Sequence, residues 1–404
     1  MKTLSKSDWA ILGLAGLTAL AVGCGPADDD NPLLDCQLLV ESAINGGVTL
    51  GAGTCYQVDH RLTLSSGVLR IEPGVRLTFA QDAGIAVRDD GRLRAVGTAE
   101  KPVVFTGLES RRGFWRGLQF LDTRSDDNRL EHAVIEFAGS SKWHGGEQSQ
   151  AGLFVYGNGV QLTLRNTTLR ANLVAAVTID GPQADLVLDN NRYEDNVLPL
   201  RIAPNHVGSL TSAQTFEGND GQFVLVDGFS LSRKVERAQT WHALAVPYQF
   251  AHVAVIEQPV TIEPGTVLEF RQNTGLQIEA TGRLIANADG ADKIVFKGAE
   301  DINGFWRGLY FYKSFSSENV LANTTVQHAG AAKWHGGEQS QANIFLRGGS
   351  DKAMLTVRNT EVTGSGKYGI SVENEAVLSD CQGLEVSANN EDDFKAQANA
   401  VVCN

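Results

Sequence analysis

Basic charge is scarce in this chain. Its 404 residues hold 34 Lys and Arg against 47 Asp and Glu, a net charge of −13. That excludes a nucleic-acid binder, because nothing gathers cations to meet phosphates. Helical periodicity of useful length is missing beyond the first two dozen residues, which argues against a helical bundle. No CxxC spacing, GxGxxG loop, phosphate loop or Ser-His-Asp order stands out, so no metal and no cofactor is expected. Ten prolines are too few for Pro-rich linkers. What is present is 42% hydrophobic residues, too many for a disordered chain, and 43 glycines, which suit many tight turns between short strands.

Lys2 and Lys6 precede an apolar run from Ala10 to Val22, too short to span a bilayer and placed where a signal sequence keeps its apolar core. Leu20-Ala21-Val22-Gly23-Cys24 resembles a bacterial lipobox, with Ala21 where Leu is usual. The expectation is a signal peptide over 1–23, lipidation at Cys24 and a solvated tether over 24–35 carrying Asp28-Asp29-Asp30. The partner is then the membrane, through the lipid, and the location the envelope, at the outer membrane or cell surface of a Gram-negative bacterium. Four cysteines remain. Cys36 with Cys55 and Cys381 with Cys403 is the economical pairing among three possible ones, and it staples both ends of an exported body.

The chain repeats itself. Ile71-Glu72-Pro73-Gly74 returns as Ile262-Glu263-Pro264-Gly265, and Gly113–Leu118 as Gly304–Leu309, both at an offset of 191. Lys142–Ala151 returns unchanged as Lys333–Ala342 at the same offset, and Leu162–Thr167 matches Leu355–Thr360 at 193. Two fused halves, about 56–210 and 247–380, are expected inside one domain over 36–404. Within each half, three- to five-residue segments such as Val75–Phe79, Ile85–Val87 and Val103–Phe105 alternate apolar positions and end in Gly, Asn, Asp or Pro. Asn166, Asn172, Asn190, Asn191, Asn196 and Asn359 sit at segment ends, where left-handed corners are expected.

Leu69–Phe79, Gly91–Thr98, Pro102–Thr106 and Trp115–Leu118 together resemble the right-handed parallel β-helix repeat superfamily, the pectin-lyase-like fold, in its bacterial surface lipoprotein members. The resemblance implies an all-β solenoid with a dry apolar column inside. It leaves function open, since that scaffold hosts lyases, hydrolases, adhesins and structural proteins. The Asn-Thr-Asp, Asp-Asp, Gly-His-Gly and Arg-Ile-Lys order of the pectin hydrolases is absent, and no catalytic residue is assigned.

The candidate site is the repeated decapeptide, read as a loop leaving a corner. Packing of the loop onto the coil is one reading. The other is a ligand site, with Trp143 as an aromatic platform and Lys142, His144, Glu147, Gln148 and Gln150 bonding sugar hydroxyls. Lys333, Trp334, His335, Glu338, Gln339 and Gln341 would do the same in the second copy. At about 23 residues per coil, the offset corresponds to about eight coils, which puts both loops on one face about 40 Å apart. The expected function is non-enzymatic, binding or structural, with a weak two-site contact to envelope or extracellular polysaccharide. A polysaccharide lyase or glycoside hydrolase on the same scaffold is the alternative.

Overall fold

Alternating short segments can bury one set of side chains only if each strand lies against another. The computed structural model, which describes residues 36–181, 183–228 and 233–403, shows how. The expected signal segment, Cys24 and the tether fall outside the described residues. Every strand pairing among the described residues is parallel: Arg76–Phe79 stacks under Val103–Gly107, and that strand under Ala133–Glu136. Leu62, Leu64 and Leu69 of Arg61–Ile71 are wholly buried while their neighbours face outward. Each coil lays down a strand on each of three sides and returns one rung higher, which makes a right-handed parallel β-helix. Residues 37–404 form one compact unit.

Inside, side chains of equivalent rungs stack. Trp115 lies 4.0 Å from Phe79 between ring centres, and Trp306 lies 4.1 Å from Phe270. Each indole donates to a backbone carbonyl, Glu136 O at 2.7 Å and Gln327 O at 2.8 Å, so a buried polar group is satisfied. Gly117 and Gly308 follow at φ +115°, where a Cβ would come within 2.4 Å of Gly152 O and Ala342 O.

The corner asparagines divide into two roles, which corrects the expectation that all turn the chain. Asn166, Asn190 and Asn359 are left-handed, at φ of +50°, +51° and +46°. Asn172, Asn191 and Asn196 are not. They point inward from the next position and are buried. Asn196 Oδ1 accepts from Asn172 N and Nδ2 at 3.0 Å each, while Asn196 Nδ2 donates to Leu169 O at 2.9 Å and Asn219 Oδ1 at 3.0 Å. These side chains replace the backbone ladder where the chain bends.

The strand Val224–Val226 pairs with Leu200–Ile202 below and Tyr248–Phe250 above. Through it, one ladder runs unbroken from Leu153–Tyr156 to Thr324–Gln327 and on to Glu385–Ser387. Among the described residues, the other two sides do not cross. The eight-stranded sheet ends at Thr215–Glu217, and the two seven-stranded sheets begin at Lys234–Val235 and Gln239–Trp241. A 3-10 turn, Pro204–Ser209, fills the gap and is stitched by side chains: Gln239 Oε1 accepts from Gly208 N at 2.7 Å, and Gln239 Nε2 donates to Pro204 O at 3.1 Å.

This junction shifts the coil by one side. Leu153–Tyr156, the strand that follows the first decapeptide, shares its ladder with Thr324–Gln327, the strand that precedes the second. The two loops therefore lie on different edges, not on one face, and seven rungs rather than eight coils separate them along this ladder. Residue offset counts chain length and not corners, so the extra side was invisible in the sequence.

Cys381 and Cys403 form a disulfide, and Cys36 and Cys55 are each disulfide-bonded. No described helix is long and apolar enough to cross a membrane.

Candidate functional site

The two decapeptides fold alike. Each closes on a 3-10 turn, Glu147–Ser149 and Glu338–Ser340. Ser149 Oγ donates to Gly146 O at 2.6 Å, and Ser340 Oγ to Gly337 O at 2.7 Å. His144 Nδ1 accepts from Gly146 N at 3.2 Å, and His335 Nδ1 accepts from Gly337 N at 3.2 Å. An accepting Nδ1 places the proton of a neutral ring on Nε2. Burial lowers the pKa of His144, which favours that neutral ring.

Trp143 is not an open platform. It is buried against Ala86, Ala151 and Phe154, and Arg116 covers its ring at 5.6 Å. Arg116 also donates to Lys142 O at 2.9 Å and pairs with Asp82 at 2.6 Å. Trp334 packs with Tyr310 and Phe345 under Arg307, 5.2 Å from its ring. A Cβ on Gly84 would stand 3.1 Å from Trp143 Cη2, and one on Gly275 3.0 Å from Trp334 Cζ2. The indoles fill the space that these glycines leave, so an apolar ring choosing between solvent and core anchors the loop.

The other loop residues sort by reach. Gln150 Nε2 donates to Gly139 O at 2.9 Å, and Gln341 Nε2 to Ala331 O at 3.4 Å; both serve the loop itself. Lys142 pairs with Glu147 at 3.0 Å in solvent. Lys333 stands 3.8 Å from Glu338, whose nearer partner is Lys367 at 2.9 Å; these cations hold the Glu338 carboxyl below its usual range. Gln148 and Gln339 turn from the loop into a cleft beside it.

Those clefts were missed by motif searching. The first is lined by Gln148, Thr178, Ile179, Asp180, Arg201 and Asp227 and is a tight crease with no room for a water molecule. The second holds Gln339, Ser371, Val372, Glu373 and Lys395 among its lining and has a volume of about 190 Å³. Carrying the 193-residue offset past Thr167 aligns Thr178-Ile179-Asp180 with Ser371-Val372-Glu373. Arg201 and Lys395 then hold the middle of the next strand up in each case. Both clefts thus combine an amide, a hydroxyl, a carboxylate and a cation.

The charges are tightly held. Asp227 is buried, accepts from Arg201 Nε at 2.8 Å and lies 3.2 Å from His252 Nε2. Burial pushes the Asp180 carboxyl up to about 6 and the Asp227 charge adds to the rise, against Arg201 and a hydrogen bond from Gln148. Glu373, also buried, lies 3.3 Å from His335 Nε2 and 4.0 Å from Arg347 Nε. Fourteen buried side-chain polar atoms among the described residues lack an aligned hydrogen-bond partner, and eight belong to these clefts and their loops. Thr178 Oγ1, Ser371 Oγ, His144 Nε2, His335 Nε2 and Glu373 Oε1 are among them. The two His Nε2–carboxylate approaches, at His335 and His252, are close contacts without hydrogen-bond alignment. Among the described residues, no three His, Cys, Asp or Glu side chains converge as metal ligands.

Residues 42–156 match the family model of the pectate-lyase-like β-helix domain. No curated protein matches the chain in sequence. Among solved structures, the catalytic domain of a glycoside hydrolase family 87 α-1,3-glucanase aligns at 11% identity and a TM-score of 0.24, over 92% of this chain. This chain spans 66% of that domain's length. An alginate lyase from a Paenibacillus species aligns at 15% identity and a TM-score of 0.22, over 81% of this chain and 93% of its own. The Dettilon tailspike protein aligns at 11% and 0.18, over 86% and 61%. The chain is a right-handed parallel β-helix, and its residues 42–156 are similar to the pectate-lyase-like β-helix domain.

Proposed function

We propose that this protein binds polysaccharide at two clefts, each formed by a decapeptide loop and the two rungs above it. The observation that carries the reading is the matched set Gln148, Thr178, Asp180, Arg201 and Gln339, Ser371, Glu373, Lys395. Carboxylate, amide and cation bond the hydroxyl groups of one sugar edge lying across the rim, since the first crease admits no water and the second holds only about 190 Å³. That combination suits short, weak contacts repeated along a chain. The lipobox-like segment and the disulfides support an envelope-anchored body, with the membrane as partner through Cys24.

The test is calorimetric titration of the body, residue 25 onward, with alginate, polygalacturonate, dextran and peptidoglycan strands. At least one polymer should bind. Asp180→Asn and Glu373→Gln should each remove about half the sites, and the double variant should weaken binding more than tenfold. Wild-type affinity in the double variant, or silence with all four polymers, would sink the reading. A second reading, glycan cleavage at the first cleft, is favoured by Asp180, protonated in part near pH 6 beside a second buried carboxylate. Reducing ends or unsaturated products appearing with wild type and not with Asp180→Asn would put it first.

A further inference from the structure

We infer that the two clefts hold separate glycan strands, so that one molecule joins two chains. The inference rests on the glycan reading and adds the arrangement of the partners. Thr178, Arg201 and Asp227 stand on or beside Val177–Ile179, Leu200–Ile202 and Val224–Val226. These strands continue upward through Tyr248–Phe250 and Val267–Phe270 to Glu361–Thr363. Ser371, Glu373 and Lys395 stand on Tyr368–Glu373 and Phe394–Ala396, which belong to a different, seven-stranded sheet.

The first cleft therefore opens from one side of the prism and the second from the neighbouring side. Outward-facing side chains on neighbouring sides point away from each other across a corner. The clefts are also displaced by seven rungs along the axis, about 34 Å at ~4.8 Å per rung. A strand lying straight along the first side passes under the wrong face at the height of the second cleft. To reach it, the strand must turn a corner and cross the side chains between, including Arg271 and Lys297 with their carboxylate and amide partners. Two sites on one side would instead favour one strand held twice, since the second contact is then intramolecular. The one-side shift at 204–241 removes that advantage and leaves each cleft free to take its own chain.

The experiment uses whichever of the four polymers binds, together with its six-sugar oligomer. Oligomer titration gives two sites per protein if the glycan reading holds, and no sites if that reading fails, which separates the two claims. With the long polymer, light scattering should show particle size rising to a maximum at intermediate protein-to-polymer ratio and falling again in protein excess. Asp180→Asn alone and Glu373→Gln alone should each abolish that growth while still binding polymer. Wild-type affinity for the polymer should stay within about threefold of either single variant. Discrete one-to-one complexes without growth, or wild-type affinity about 100-fold above both single variants, would overturn the inference in favour of one strand held at both clefts.

Discussion

Asp180→Asn should stabilise the protein at neutral pH. The Asp180 carboxyl is raised from 3.8 to about 6 in the fold, chiefly by burial, with the Asp227 charge adding to the effect. The sign follows from which state holds the proton. Between about pH 4 and 6 the folded chain binds a proton that the unfolded chain has released, so stability falls as pH rises through that window. Above it the fold keeps an ionised carboxylate in a poor environment. At 1.36 kcal/mol per pKa unit, the full penalty is about 3 kcal/mol, an upper value because the rim of the cleft is partly hydrated. Asparagine keeps the shape of the protonated acid and does not titrate. Denaturant melts of both proteins at pH 4 and pH 8 isolate the effect, since all other groups cancel in the difference. The variant's advantage should grow by about 2–3 kcal/mol between the two pH values. A difference flat to within about 0.5 kcal/mol would refute the argument and show that Arg201 fully compensates the charge. Gain of stability with loss of glycan binding would identify Asp180 as a residue kept for its chemistry at the expense of the fold.

Asn196→Ala should cost at least about 3 kcal/mol, because Leu169 O and Asn172 N lose their partners inside a dry corner. The left-handed, exposed Asn190 replaced by Gly should change stability by less than about 1 kcal/mol in the same denaturant melts. Removing the Cys381–Cys403 disulfide by paired serine substitution opens a 22-residue loop and should cost about 3 kcal/mol locally. Hydrogen exchange should show faster opening confined to 377–403, and protection unchanged there would refute a capping role.

The rung pattern was legible because parallel strands with an apolar interior force a period of two, and Val68–Phe79 and Ile85–Val87 display it. The corners were legible only in part. Asn190 and Asn191 are adjacent and chemically identical, yet the first adopts φ +51° and the second hydrogen-bonds inside. The same succession, a left-handed residue followed by an inward polar one, holds at Asn166-Thr167, Ala171-Asn172 and Asp195-Asn196. Identity alone cannot separate the two positions; place in the pair does. The decapeptide was found with two readings open for its tryptophans, and the structure takes the packing one for both indoles; an indole in a polar loop looks the same in sequence whether it faces a ligand or Gly84. The clefts escaped because their carboxylate and cation lie one and two rungs beyond the loop, in strands where Thr178-Ile179-Asp180 reads as ordinary alternation.

The junction has a mechanical consequence. Pulled along its axis, a coil of parallel strands carries load through the hydrogen bonds between successive rungs, and its strength at any height is that of the ladders crossing there. Among the described residues between Thr215–Glu217 and Gln239–Trp241, the ladder through Val224–Val226 alone continues, and the rest of the section is joined by side-chain bonds such as those of Gln239 and by the apolar core. A rod under tension yields at its weakest section. Here that section starts at Asp227, on the upper edge of the first cleft, so a molecule strained between two strands would part beside that grip and leave the coils of the second cleft intact.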